Sequence, residues 1–481
     1  MNAISSATDG EPSLPTPKAT PLAWNTRDFV FYAIVLFLAY SATLFFPYLL
    51  TDETWIVRPG TYSWTFRMGR PAFSAFIWIS GQMQQTIGLD VIYVMRGSAI
   101  LALAATAVIL KRWFLDWGHD RVTAMWLPIV LLSLPGYQIV VADGTQLAVA
   151  ILLTTCATVV LPRRREDIEP ARPLIAALLY VAALLIYQQQ VLLAFAMLAV
   201  PLLASSVDRR TIGYVIAVGC FVTAVSVAYF LVWRIIAIPD ERYGPQAVQF
   251  PAPSIVLDFV SGRFIQAANL WKVVGPPQVG LPVVVVAILM AIKVAFEFFR
   301  QSWRFLLPSI VLVGLLVASD GFAILARNYP SYVTLTPLNF LIGYWAFAGL
   351  AVLAGRWRGP LAAILAVGGA LLAFITVKDE IAIPNNRTVA AIRAAFVEHP
   401  QVTNFNFVLP VQGGPGYSEF GWRNTANYLY LMAINVADHL SIHHVMNQSW
   451  HDQLVVTTPN ASSGDASQNS PRPDALTIEL P

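Results

Sequence analysis

The chain has 481 residues, of which 57% are hydrophobic and only 12% charged, with a formal net charge of +3. A soluble domain carries about 25% charged residues, so this composition excludes a soluble globular fold and implies an all-α polytopic membrane protein. It offers no basic surface for nucleic acid, and no Walker motif or dinucleotide loop is present.

Residues 1–27 are polar, rich in Pro, Ser and Thr, and read as a cytoplasmic tail. The apolar run that follows is too long for the core of a signal peptide. A membrane span needs about 20 apolar residues. Eleven stretches qualify, some of them short: 28–50, 91–110, 122–141, 145–161, 173–188, 190–205, 211–235, 279–299, 305–326, 331–354 and 359–377. The transmembrane domain is expected to cover 28–377. Basic residues in short loops set the orientation. With the N-terminus in the cytoplasm, the inner segments hold 15 of the 30 Lys and Arg residues, and the outer loops between spans hold seven. Everything after 378 is then extracytoplasmic. No internal repeat or broken helix is visible. Cys156 and Cys220 lie inside apolar runs and are expected to pack as small apolar residues.

The first outer loop, 51–90, is the most informative segment. It opens with Thr51-Asp52-Glu53-Thr54-Trp55 and continues through Arg58 to an aromatic run holding Arg67 and Gly69-Arg70-Pro71. Residues 71–80 read as a helix lying in the membrane interface. A carboxylate pair after a span can simply end a helix in water, and interfacial arginines can snorkel to headgroups. Here three arginines sit beside two carboxylates on the side where basic residues are disfavoured.

Further along the chain, Asp143 lies in an outer turn before Gly144, as a turn residue or facing the first loop. Tyr187-Gln188-Gln189-Gln190 is a polar cluster in an apolar hairpin, lining a cavity or bonding between helices. Arg96, Arg234 and Asp320 are ionisable groups at membrane depth, functional or paired. Lys293 and Glu297 form an i,i+4 pair. Arg327, at an outer span end, can grip a phosphate or snorkel.

An extracytoplasmic α/β domain is expected over 378–456, with helices at 388–398 and 424–439 and a strand at 402–409. Trp422 and Arg423 can fold this domain or bind a sugar. Asp438, His439, His443 and His444 lack the spacing of a convincing metal site. The tail 457–481 reads as disordered.

The order span, Asp52-Glu53, arginines, Gly69-Arg70-Pro71, with Tyr187-Gln188 at the outer end of the fifth span, resembles the type II O-antigen glucosyltransferases of serotype-converting phages and their bacterial relatives. The resemblance covers the first 200 residues, and the later spans only in layout. This chain has Asp-Glu where Asp-Asp is usual. The resemblance implies a GT-C fold in a bacterial inner membrane. It implies transfer of a hexose, glucose favoured, from a polyprenyl-phosphate-sugar to an outer acceptor glycan or glycolipid such as O-antigen lipopolysaccharide.

The residues fit that chemistry. Breaking the glycosidic bond builds negative charge on the lipid phosphate, which Arg58, Arg67, Arg70 and Arg327 can stabilise. The acceptor hydroxyl must lose a proton, and Asp52, supported by Glu53, can act as general base in one inverting displacement. Trp55, Asp143, Tyr187, Gln188 and Gln189 are expected to line the substrate cavity. A divalent metal, Mg or Mn, bridging Asp52 and the phosphate is compatible with this scheme but not required. Two alternatives remain: a polymerase of polysaccharide repeat units, and a transporter or flippase of lipid-linked sugar.

Overall fold

The computed structural model describes residues 25–46, 66, 69–87, 91–144, 146–162, 169–204, 207–236, 259–270, 280–321, 332–400, 405–408, 454–457 and 476–479. In chain order the helices are α1 (Thr26–Tyr40), α2 (Pro71–Ile87), α3 (Val91–Asp116), α4 (Arg121–Leu132), α5 (Pro135–Ala142), α6 (Leu147–Val160), α7 (Ala171–Ile186), α8 (Leu193–Ala204), α9 (Arg209–Ile236), α10 (Leu281–Gln301), α11 (Leu306–Ala318), α12 (Thr336–Ala354), α13 (Arg358–Thr376) and α14 (Ile383–Glu398). A 3-10 segment, Gln188–Leu192, joins α7 to α8, and a π-helical turn covers Phe259–Phe264.

Among the described residues four helical stretches are long and apolar enough to cross a membrane, or five if the bent pair α4–α5 counts as one span. The last of the four, Thr336–Glu398, turns at Gly355, whose φ of 53° favours glycine. Four further apolar helices are shorter, among them α6, α7 and α11. The expected spans at 145–161, 173–188 and 190–205 thus contain α-helices of 14, 16 and 12 residues. Backbone at Tyr187 is extended, so the polar stretch at 187–190 breaks what hydropathy alone joins.

Burial separates core from periphery. All eight residues of α5 are buried, as is α8 from Leu193 to Leu203. A helix that is apolar on every side belongs inside a bundle. By contrast α9, α10 and α13 expose apolar side chains such as Leu231, Ile288 and Ile364, the pattern of a surface meeting hydrocarbon. The closest packing partners are α6 with α7, α10 with α12, and α4 with α13. Gly349 of α12 lies so close to Leu289 of α10 that a Cβ there would overlap the Leu289 carbonyl.

The sequence shows no broken helix, but the structure has one. The chain bends by 62° between α4 and α5, inside the expected span 122–141. Pro135 opens α5 and lacks the N–H that would continue α4. Side chains satisfy the freed backbone groups, as burial demands. Tyr40 donates to Leu132 O at 2.5 Å and Gln138 Nε2 to Ser133 O at 2.8 Å. Gly136 N donates to Asn339 Oδ1 at 3.1 Å, while Asn339 Nδ2 donates to Ala267 O at 2.8 Å.

Strands β1 (Phe405–Val408), β2 (Leu454–Thr457) and β3 (Leu476–Glu479) pair in parallel in the order β2-β1-β3. β1 falls within 402–409. β3 corrects the reading of 457–481 as disordered throughout. Its Leu476-Thr477-Ile478-Glu479 alternation is four residues long and is diluted by the polar residues before it.

Candidate functional site

Of the expected site residues, Asp52, Glu53, Trp55, Arg58, Arg67 and Arg327 lie outside the described residues, as do Asp438, His439, His443, His444, Trp422 and Arg423. Arg70, Asp143, Tyr187, Gln188 and Gln189 are described. The structure brings Arg70, Tyr187 and Gln188 together, although 117 positions separate Arg70 from Tyr187.

Arg70 stands at the start of α2. Its carbonyl accepts from Ser74 N at 2.9 Å, and Pro71 is the first helical residue, where a missing N–H costs nothing. Arg70 Nε donates to Gln188 Oε1 at 3.1 Å, and its guanidinium lies 4.2 Å from the centroid of the Tyr187 ring. Gln188 returns its Nε2 to Gly69 O at 2.9 Å. Gln188 therefore fixes both ends of the Gly69-Arg70 step, and Tyr187 supports the guanidinium face. Among the described residues, Nη1 and Nη2 of Arg70 make no hydrogen bond or ion pair. A planar fork held by Nε and by one face, with its outer edge open, suits a bidentate oxyanion. The adjoining helix N-terminus adds favourable partial charge.

Sequence reasoning missed the wall behind this arginine. Tyr229 of α9 donates to Gly69 O at 2.5 Å, and its ring stacks with Trp233 at 6.4 Å between centroids. Phe66 meets Trp233 edge-on at 5.5 Å. Gly69 has φ 77°, and a Cβ there would stand 2.9 Å from Trp233 Nε1 and 3.2 Å from Gln188 Nε2. Glycine is required both by conformation and by space. The available signal was the i,i+4 spacing of Tyr229 and Trp233 near the end of an apolar helix.

Gln189 faces a different group. Its Nε2 donates to Thr334 O at 3.0 Å and to Asp320 Oδ1 at 3.3 Å. Asp320 is fully buried and accepts from Arg263 Nε and Nη2, while that Nη2 also reaches Thr334 Oγ1 at 3.1 Å. Of the two readings of Asp320, the ion pair is the one observed. Gln189 supports this pair rather than Arg70.

Other expected residues have plainer surroundings. Asp143 is buried at the end of α5. Arg96 is buried, and its Nη1 donates to Thr43 O at 3.0 Å in the short helical segment Ala42–Phe45 that follows α1. Lys293 pairs with Glu297 at 2.6 Å, and Glu297 also receives Arg300 at 2.7 Å. Among the described residues no group of three or more His, Cys, Asp or Glu is placed to hold a metal ion. Asp52, the expected metal contact, is not described.

Composition and helix lengths define a helical membrane protein whose described polar clusters gather at element ends. No protein-family model matches the chain, and no curated protein matches it in sequence.

Proposed function

We propose that this protein is a GT-C-type glycosyltransferase with eleven spans, an extracytoplasmic C-terminal domain and an outward-facing site, which transfers a hexose from a polyprenyl-phosphate-sugar. The observation that carries this reading is Arg70, held by Gln188 and Tyr187 with its outer edge open among the described residues. In the proposed reaction the lipid phosphate lies on Arg70 Nη1 and Nη2, aided by Arg58, Arg67 and Arg327. Asp52 removes the acceptor proton, and the sugar inverts in one displacement. The acceptor is a cell-envelope glycan or glycolipid such as O-antigen, and the membrane is a bacterial inner membrane with the N-terminus inside.

The contacts between helix ends support the topology. Ends assigned to the inner side meet each other: Lys111 pairs with Asp28 at 2.7 Å, and Arg358 with Asp120 at 2.8 Å. Ends assigned to the outer side also meet: Gly69-Arg70 with Gln188, and Gln189 with Asp320 and Thr334.

The test is hexose transfer from a polyprenyl-phosphate-sugar by the purified protein in nanodiscs. Asp52→Asn, which keeps size and polarity, is expected to lower the rate by about 10²- to 10⁴-fold with normal membrane insertion. Glu53→Gln is expected to cost less. Full transfer by both variants would remove the mechanism.

The broken pair α4–α5 favours one second reading, a transporter of lipid-linked sugar, because discontinuous helices recur at transporter substrate sites. Under that reading wild-type protein moves the lipid-linked sugar between leaflets of a vesicle without breaking its glycosidic bond.

A further inference from the structure

Arg263 and Arg70 flank one short segment, since Gln188 reaches one and Gln189 the salt bridge of the other, yet their electrostatics differ. Among the described residues Arg70 has no carboxylate partner and hydrogen-bonds through its Nε but not through Nη1 or Nη2. Arg263 is nine-tenths buried and neutralised by Asp320. Its Nε and Nη2 are taken, but its buried Nη1 has no hydrogen-bond partner among the described residues. A buried guanidinium N–H without an acceptor is costly, and native proteins seldom leave one so. A neutralised ion pair has little long-range attraction for a second anion. It can still give one strong, directed hydrogen bond to a neutral oxygen.

We propose that Arg263 Nη1 is a sugar-hydroxyl subsite. Arg70 holds the phosphate of the donor, and the Arg263–Asp320 pair, braced by Gln189 and Thr334, reads a hydroxyl of the attached sugar. This assignment rests on the glycosyltransferase reading. It divides the donor between two arginines: the open, charged one takes the anion, and the closed, neutral one takes the polyol.

The experiment compares binding of polyprenyl phosphate with that of polyprenyl-phosphate-hexose, in nanodiscs, for three proteins. In the wild type the sugar should tighten binding by about tenfold or more, the worth of one charge-assisted hydrogen bond. Arg263→Lys keeps a cation on Asp320 but loses the fork. It should bind the sugarless lipid as the wild type does and lose the sugar's increment. Truncating a buried pair can unfold a protein, so the third protein is the charge swap Arg263→Asp with Asp320→Arg. It should recover thermal stability without recovering the increment.

A swap that restores the increment, or an Arg263→Lys variant that keeps it, would make the pair a structural staple and overturn the assignment. So would a wild type that binds both lipids equally. A wild type that binds neither lipid would instead overturn the glycosyltransferase reading on which the assignment rests.

Discussion

At the helix ends proposed to face the cytoplasm, several of the described charges close on one another. Asp28 meets Lys111, Asp120 meets Arg358, and Glu297 receives both Lys293 and Arg300. The ends proposed to face outward are different. Arg70 is held by a glutamine amide and an aromatic face, neither of which neutralises it. Arg263 has its carboxylate, but one buried N–H has no partner among the described residues. Closed pairs fasten helices, whereas fixed cations with open edges wait for a partner from outside the chain. On the proposed topology the contrast assigns fastening to the inner face and donor binding to the outer one, and each side can be perturbed separately.

The largest separation between the faces is expected at Arg70 and Gln188. Arg70→Lys keeps the charge but gives up the fork, so donor KM should rise by about tenfold or more. Gln188→Leu leaves the guanidinium intact and only releases it. It should raise donor KM several-fold with little change in kcat, since it removes a hydrogen bond that positions Arg70 and none made to the donor itself. Equal damage to kcat from Gln188→Leu would mean that Gln188 touches the reacting atoms.

At the proposed inner face, acid should act through His119. Burial pushes its imidazole down to about 4, with the Arg358 charge adding to the effect, and Nε2 pairs with the Tyr344 hydroxyl at 2.9 Å. The unfolded chain binds a proton below about 6.5, where the folded one does not. Stability contributed by this group is therefore full above 6.5 and is lost as pH falls toward 4. Thermal midpoints measured from pH 7 to 4.5 should fall, and His119→Gln should flatten that slope.

The smallest effect belongs to the pair of Asp120 with Arg358. Burial opposes the charge on Asp120. Hydrogen bonds from Thr123 N and Oγ1, together with the Arg358 guanidinium, nevertheless hold its carboxyl below the usual range. Both side chains are more than a third exposed, so solvent screens the pair. Arg358→Ala should cost at most about 1 kcal/mol in a stability assay and leave transfer unchanged.

Much of this layout is legible in the sequence because hydropathy reports each residue's own environment. Gly69-Arg70-Pro71 and Tyr187-Gln188 stand out as polar groups in apolar surroundings, and the structure joins them. Helix continuity is less legible. Pro135 and the extended backbone at Tyr187 interrupt runs that hydropathy reads as whole. Nor does the sequence reveal which residue meets which. Tyr229 and Trp233 look like ordinary span residues, and Arg263 like a loop cation, until packing brings them to Gly69 and Asp320. The carboxylates at 52 and 53, on which the catalytic proposal depends, lie outside the described residues, so their role rests on sequence and chemistry.

The most direct measurement is the affinity of the purified protein for polyprenyl phosphate in nanodiscs, wild type against Arg70→Ala. If the open edge of Arg70 holds the donor phosphate, the variant should bind about tenfold or more weakly while keeping its thermal midpoint. Unchanged affinity in a folded Arg70→Ala protein would contradict it and leave Arg70 as a fastener like those of the inner face.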